Sequence, residues 1–112
     1  MRIDFDEVKC YAVENMNGGK GEVKANMAFL KNGKVMRAVL PPKCEIGEHI
    51  HETSDDINYV LSGRGTAICD GVEEKLEPGI LHICPMGHRH SIRNDGTEDL
   101  VLLTIVPEIK HQ

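Results

Sequence analysis

Apolar and polar positions alternate along short stretches of this chain, and turn residues separate those stretches at regular intervals. Positions 22–30 read as a strand, with Met27 and Phe29 expected on its inward face. Asn32-Gly33 follows, and an apolar run returns over 35–40. Asn-Gly between two such runs is a strong hairpin signal, because both central residues of the tight turn need positive φ. Pro41-Pro42 then stops the strand, since proline has no N–H to give to a ladder.

The same grammar continues to the end. Positions 56–62 are rich in β-formers, and Gly63-Arg64-Gly65 turns the chain. Strands at 66–69 and 72–76 flank Asp70-Gly71, a second hairpin signal. A short strand at 81–84 ends at Pro85, and strands at 90–94 and 99–106 flank Asp95-Gly96. Before all of these, 6–14 reads as strand or irregular, and Asn17-Gly18-Gly19 closes that segment. About eight or nine short strands with no sustained helical period predict an all-β sandwich or barrel. Its interior is expected to hold Met27, Phe29, Met36, Ala38, Leu40, Ile92, Leu102 and Thr104 or their partners.

Composition narrows the picture. A chain of 112 residues fits one domain, 1–112, and its 40% hydrophobic and 28% charged residues are those of a globular protein. The net charge of -5 comes without any basic block, so neither nucleic acid nor an anionic membrane surface is an expected partner. The most apolar stretch, 100–106, is too short to span a bilayer. No apolar run follows the opening residues, so no secretory signal is expected, and the predicted location is cytoplasmic. Cys10, Cys44, Cys69 and Cys84 contain no C-x-x-C pair and read as small buried hydrophobes. Cys84 stands out because it precedes Pro85 beside the candidate site described next.

Five of the six histidines lie between positions 49 and 90. His49 and His51 are two apart in a strand-like segment, so both imidazoles face one way and can chelate one metal. Alone, that spacing equally fits a polar strand face. The context is more specific. His49-x-His51, four residues, Asp56, six residues and Gly63 resemble the first cupin motif, over 47–63. Gly79, five residues, Pro85-x-Gly87, two residues, His90, three residues and Asn94 resemble the second, over 79–94. The resemblance covers roughly positions 35–107.

The resemblance implies a double-stranded β-helix, a small jelly-roll barrel with a metal near its centre. The ligands it implies are His49, His51, Asp56 and His90. Cupins usually carry Glu where this chain has Asp56, which is shorter by one methylene, roughly 1.5 Å. Asp56 then binds through a shifted strand, binds through a water, or leaves a three-histidine face. Asp55 points to the other face of a regular strand. Imidazoles with one carboxylate and no thiolate suit one divalent ion of Fe, Mn, Ni, Cu or Zn.

Around that centre, strand period turns Asn58 and Val60 inward with Asp56 and Tyr59 outward. Asn58 is a candidate to orient substrate or hold a water. His82 lies in an apolar strand and is either a structural residue or a general acid/base beside the metal. His88 falls at the rim, His111 in the tail, and Arg37 is expected to point outward. Gly47, Gly63, Gly79 and Gly87 are expected to supply positive φ or tight turns at barrel corners, and Asn94 to cap a turn. With two Phe, two Tyr and no Trp, the pocket is expected to be small and aliphatic.

The leading functional expectation is a metal-dependent enzyme on a small oxygen-rich metabolite that chelates the metal through two oxygens. Dioxygen-dependent cleavage and isomerase or lyase chemistry both stay open. The alternatives are a non-catalytic metabolite- or metal-binding module, and a barrel that has lost its metal. A homodimer is expected, because open sheet edges need covering, with 3–13 as the exchanged or added strand.

Overall fold

The computed structural model describes residues 1–108, so His111 lies outside the described residues. Ten strands follow a short 3₁₀ turn at Phe5–Glu7: β1 (Cys10–Glu14), β2 (Glu22–Leu30), β3 (Gly33–Leu40), β4 (Glu45–Ile50) and β5 (Asp56–Ser62), then β6 (Gly65–Cys69), β7 (Val72–Leu76), β8 (Leu81–Cys84), β9 (Arg89–Arg93) and β10 (Leu100–Pro107). A second 3₁₀ turn, Met16–Gly18, joins β1 to β2. The strands form two antiparallel sheets. One has the order β1-β2-β3-β10-β5-β8 and the other β4-β9-β6-β7. Facing each other, they make the jelly-roll barrel that the motifs imply.

Register explains which side chains face inward. Ala38 is opposite Ala25 on β2 and Leu102 on β10, and Leu102 is in turn opposite Val60 on β5. On the other sheet Ile92 sits between Ile46 and Ala67. These rows meet in a core of Val23, Leu40, Cys44, Val60, Ala67, Leu76, Ile92, Leu100 and Leu102. Each fully buried Leu or Val there contributes roughly 1.5–3 kcal/mol over its exposed state. Asn94 ties the sheets' ends together: its Nδ2 donates to the Leu40 and Glu98 carbonyls, each at 2.8 Å, and its Oδ1 accepts from Gly96 N–H. It caps the turn assigned to it.

Three expectations need correction. Phe29 is 67% exposed, because β2 runs beyond the barrel wall before its hairpin, and its ring meets the edge of Tyr11. Cys10 is exposed on the edge strand, unlike buried Cys44 and Cys84. Gly63, Gly79 and Gly87 do have positive φ, but Gly47 does not. Gly47 lies within β4, where any Cβ would collide with the Asn17 carbonyl of the Met16–Gly18 turn. The N-terminal segment also pairs inside its own chain, as β1 against β2. Among the described residues no helix is long and apolar enough to cross a membrane.

Candidate metal centre

Both sheets contribute to one cluster. His49 on β4 is opposite His90 on β9, and Asp56 opens β5 in the other sheet. His51 follows β4 by one residue. One ligand atom from each of the four lies within 4.8 Å of the others. The His49 Nε2 is 3.1 Å from the His51 Nε2 and 3.0 Å from the His90 Nε2. The Asp56 Oδ2 is 2.9 Å from the His90 Nε2 and 3.8 Å from the His51 Nε2. The shorter carboxylate therefore reaches the cluster. Asp55 does not: it accepts from the Met86 N–H instead.

The donor atoms are oriented as ligands would be. The His49 Nδ1 is 2.8 Å from the Gly47 carbonyl, which can only accept, so Nδ1 carries the proton and Nε2 presents its lone pair to the cluster. The His51 Nδ1 is 3.2 Å from the hydroxyl of buried Ser54. The His90 Nδ1 is buried without a partner. Burial pushes the His49 and His51 imidazoles below their usual range, so both are neutral at pH 7. Burial alone would raise the Asp56 carboxyl, but the hydrogen bond and charge of His90 and the charge of His51 outweigh it and hold Asp56 below its usual range. Neutral imidazoles with an ionised carboxylate are the state that ligates metal.

These separations also pass a simple test of fit. Ligands about 2.1 Å from one ion, at right angles around it, are about 3 Å from each other. The three shortest contacts in the cluster have that length. Three imidazole nitrogens and a carboxylate oxygen so close together need a positive centre between them, either a shared proton or a cation.

A cavity of about 330 Å³ opens against His49, His51 and Asp56. It is at the small end of ligand sites, which run from roughly 300 to 1,000 Å³. Its walls are aliphatic, as expected, and its polar lining includes Asn58, Thr104 and Lys34. Asn58 is buried, its Oδ1 accepts from the Thr104 hydroxyl at 2.7 Å, and its Nδ2, which makes no hydrogen bond of normal length, is close enough to Asp56 to help hold that carboxyl down. His82 is buried too, opposite Asn58 in the β5–β8 ladder, but it is not among the residues that line the cavity. Its Nε2 is 3.6 Å from a Glu74 carboxylate oxygen, and neither ring nitrogen has a hydrogen bond. His88 is at the exposed rim with Asp70, and Arg37 pairs with Asp6 at 2.7 Å, away from the cavity. Lys34, Ser54 and the Gly47 carbonyl were not singled out from the sequence. Lys34 had a signal, since it shares the inward period of Met36 and Ala38.

A two-sheeted jelly-roll barrel holding three histidines and an acid beside an open cavity defines a class of small β-barrels with a candidate metal site. The cupin domain family matches residues 36–106, and the chain belongs to the cupin family. It is 33% identical over 114 residues to an oxalate-binding protein of Thermotoga maritima, covering 95% of this chain and 93% of that one. It is also similar to a solved structure from Thermotoga maritima described as a predicted oxalate decarboxylase, with TM-score 0.91 and 30% identity over 97% of this chain and 100% of that one. A conserved double-stranded β-helix protein of Klebsiella pneumoniae has TM-score 0.76 at 24% identity, over 96% and 89% of the two chains.

Proposed function

We propose that this chain is a single-domain, metal-dependent cupin that binds a small oxygen-rich carboxylate of the oxalate type. The observation that carries this reading is the cavity opening directly against His49, His51 and Asp56. These three and His90 would hold one divalent transition ion. When bound, the ion supplies Lewis-acid polarisation of a ligand's oxygens. Lys34 contributes positive charge for the carboxylate, and the unpartnered Asn58 amide donates to a ligand oxygen. In an enzymatic reading His82, opposite Asn58 on the neighbouring strand, would be a further candidate to move protons. The similarity to an oxalate-binding protein over nearly the whole chain supports the same ligand class.

Binding without turnover is favoured over catalysis by one feature. Outside the cluster, Lys34 is the only titratable side chain among the described residues that line the cavity. An enzyme of the oxygenase or of the isomerase and lyase type would use the same site, with Lys34 and Asn58 moving or steering protons.

The test is elemental analysis of protein purified without added metal, beside a His49→Ala/His51→Ala variant, followed by calorimetric titration with oxalate. Stoichiometric metal that the variant loses, with oxalate binding only to loaded protein, is expected. A wild type that neither carries nor takes up metal overturns the proposal.

We also propose a cytoplasmic homodimer with no nucleic-acid or membrane partner. Tyr59, Leu61, Leu81, Ile83 and Ile105 are exposed together on the outer face of β5, β8 and β10. An apolar patch of this kind marks an interface, and a second copy is the occupant we assign. Light scattering after size exclusion is expected to give a dimer for the wild type and a monomer for Leu81→Asp. A wild-type monomer sinks the assignment.

A further inference from the structure

The cavity is larger and more apolar than an oxalate-type head group needs. Oxalate has six heavy atoms, four of them oxygens, and no C–H surface. On the reading above its two carboxylates would meet the cluster, Lys34 and Asn58, which line the same cavity. The rest of the wall is aliphatic. Val23, Ala25 and Met27 come from β2, Met36 and Ala38 from β3, and Leu102 from β10. Val23, Ala25, Ala38 and Leu102 are themselves buried, so this wall belongs to the barrel's interior and not to its rim. A carboxylate turned toward it would lose its hydration without gaining a hydrogen bond. A hydrocarbon chain there would leave water for a surface of its own kind.

Resting on the metal-dependent carboxylate reading above, we infer that the preferred ligand is a 2-oxo or 2-hydroxy carboxylic acid with a short aliphatic tail. The head places two adjacent oxygens at the cluster, and the tail occupies the chamber formed by Val23, Ala25, Met27, Met36, Ala38 and Leu102. Met36 faces Met27 across the β2–β3 ladder, so two unbranched thioether side chains lie side by side on this wall. Methionine adapts its shape to what it packs against, so this part of the wall accommodates tails that differ in branching. Lys34 lines the same cavity two positions along β3 from Met36 and fixes the end at which the anionic head enters.

The probe is a series of acids with one head and a growing tail: glyoxylate, pyruvate, 2-oxobutanoate, 2-oxopentanoate and 4-methyl-2-oxopentanoate. Each is titrated calorimetrically into the full chain loaded with measured metal, with oxalate alongside. Binding is expected to tighten about fourfold per added methylene until the chamber is full, the fold-change that roughly 0.8 kcal/mol per buried CH₂ corresponds to. Ala38→Leu takes up chamber volume and is expected to move the end of that series to a shorter acid. Ala25→Val makes the same test with a smaller increase, should Ala38→Leu not fold. A series that is flat, or weakens with length, while oxalate still binds overturns this inference and leaves the carboxylate reading standing. Loss of all binding, oxalate included, in protein shown to hold metal overturns both.

Discussion

The Asp56 carboxylate meets the His90 imidazole at 2.9 Å, and the two residues come from different sheets of the barrel. Both side chains are almost wholly buried, so the contact joins the sheets through their interior. Asp56→Ala removes the charged acceptor and leaves the buried His90 Nε2 with the neutral His49 Nε2 as its remaining hydrogen-bond partner. The metal-free variant is expected to lose about 2 kcal/mol of stability, the usual worth of a hydrogen bond to a charged group. Metal affinity is expected to fall at least about tenfold. Urea denaturation and a chelator competition measure the two. Full metal affinity in the variant would remove Asp56 from the centre.

Acid is expected to weaken the metal-free fold in a defined window. Burial holds the His49 and His51 imidazoles below their ordinary range, so the unfolded chain takes up protons at higher pH than the folded one. The stability that neutral imidazoles contribute is complete above about pH 6.5 and is lost as pH falls through their lowered folded values. Asp56, also lowered, adds its own loss further down, below the ordinary carboxylate range. Denaturant midpoints of metal-free protein should hold level from about pH 8 to about pH 7 and fall from about pH 6.5 to about pH 5. In a His49→Gln/His51→Gln protein the fall over that range should flatten.

The cysteines should divide by environment. Burial, with Cys69 adding to it, pushes the Cys84 thiol up to about 12, and burial raises Cys44 as well. The Cys84 sulfur is 3.4 Å from that of Cys69, which lies opposite His90 in the β6–β9 ladder. Alkylation of native protein at about pH 8 is expected to label exposed Cys10 and spare Cys44 and Cys84. All four should react in denaturant. Labelling of Cys84 at the rate of Cys10 would show that the β6–β8 seam opens freely.

Lys34 should act by charge. Lys34→Met keeps the length and apolar stem of the side chain and removes its ammonium. Oxalate binding to the loaded protein is expected to weaken about fivefold, with a smaller dependence on salt than in the wild type. Equal weakening at low and high salt would mean that Lys34 shapes the cavity and does not attract the anion.

Much of the architecture was legible because the turns are chemically specific. β2, β5, β7 and β8 have the predicted bounds, since Asp70-Gly71, both with positive φ, and the prolines leave few alternatives; the β2–β3 turn falls one residue before Asn32-Gly33, at Lys31-Asn32. β1 was less legible because its residues are mostly exposed and carry no apolar alternation. The four cluster residues could be named because two motifs flank them, and the structure brings all four together. Strand period assigned a face to Asn58, Tyr59 and Val60 correctly. It could not give height along the barrel axis. That is why Phe29, inward by period, emerges past the wall, and why inward His82 lies outside the cavity lining. The part played by Gly47 was equally hidden, because its neighbour, the Asn17 carbonyl, is distant in sequence.

The four cluster residues belong to β4, β5, β9 and the residue just after β4, whereas the aliphatic wall comes mainly from β2, β3 and β10, with Ile46, Ile50 and Ile92 added from β4 and β9. On the proposed reading, holding an ion and measuring a guest would be tasks of different side chains, only partly shared between strands. A lineage of such barrels could exchange Ala25, Met27 or Met36 for bulkier or smaller residues and drift toward new guests with the four cluster residues unchanged. Selection on the guest and selection on chelation would then act on different residues, interleaved along one gene.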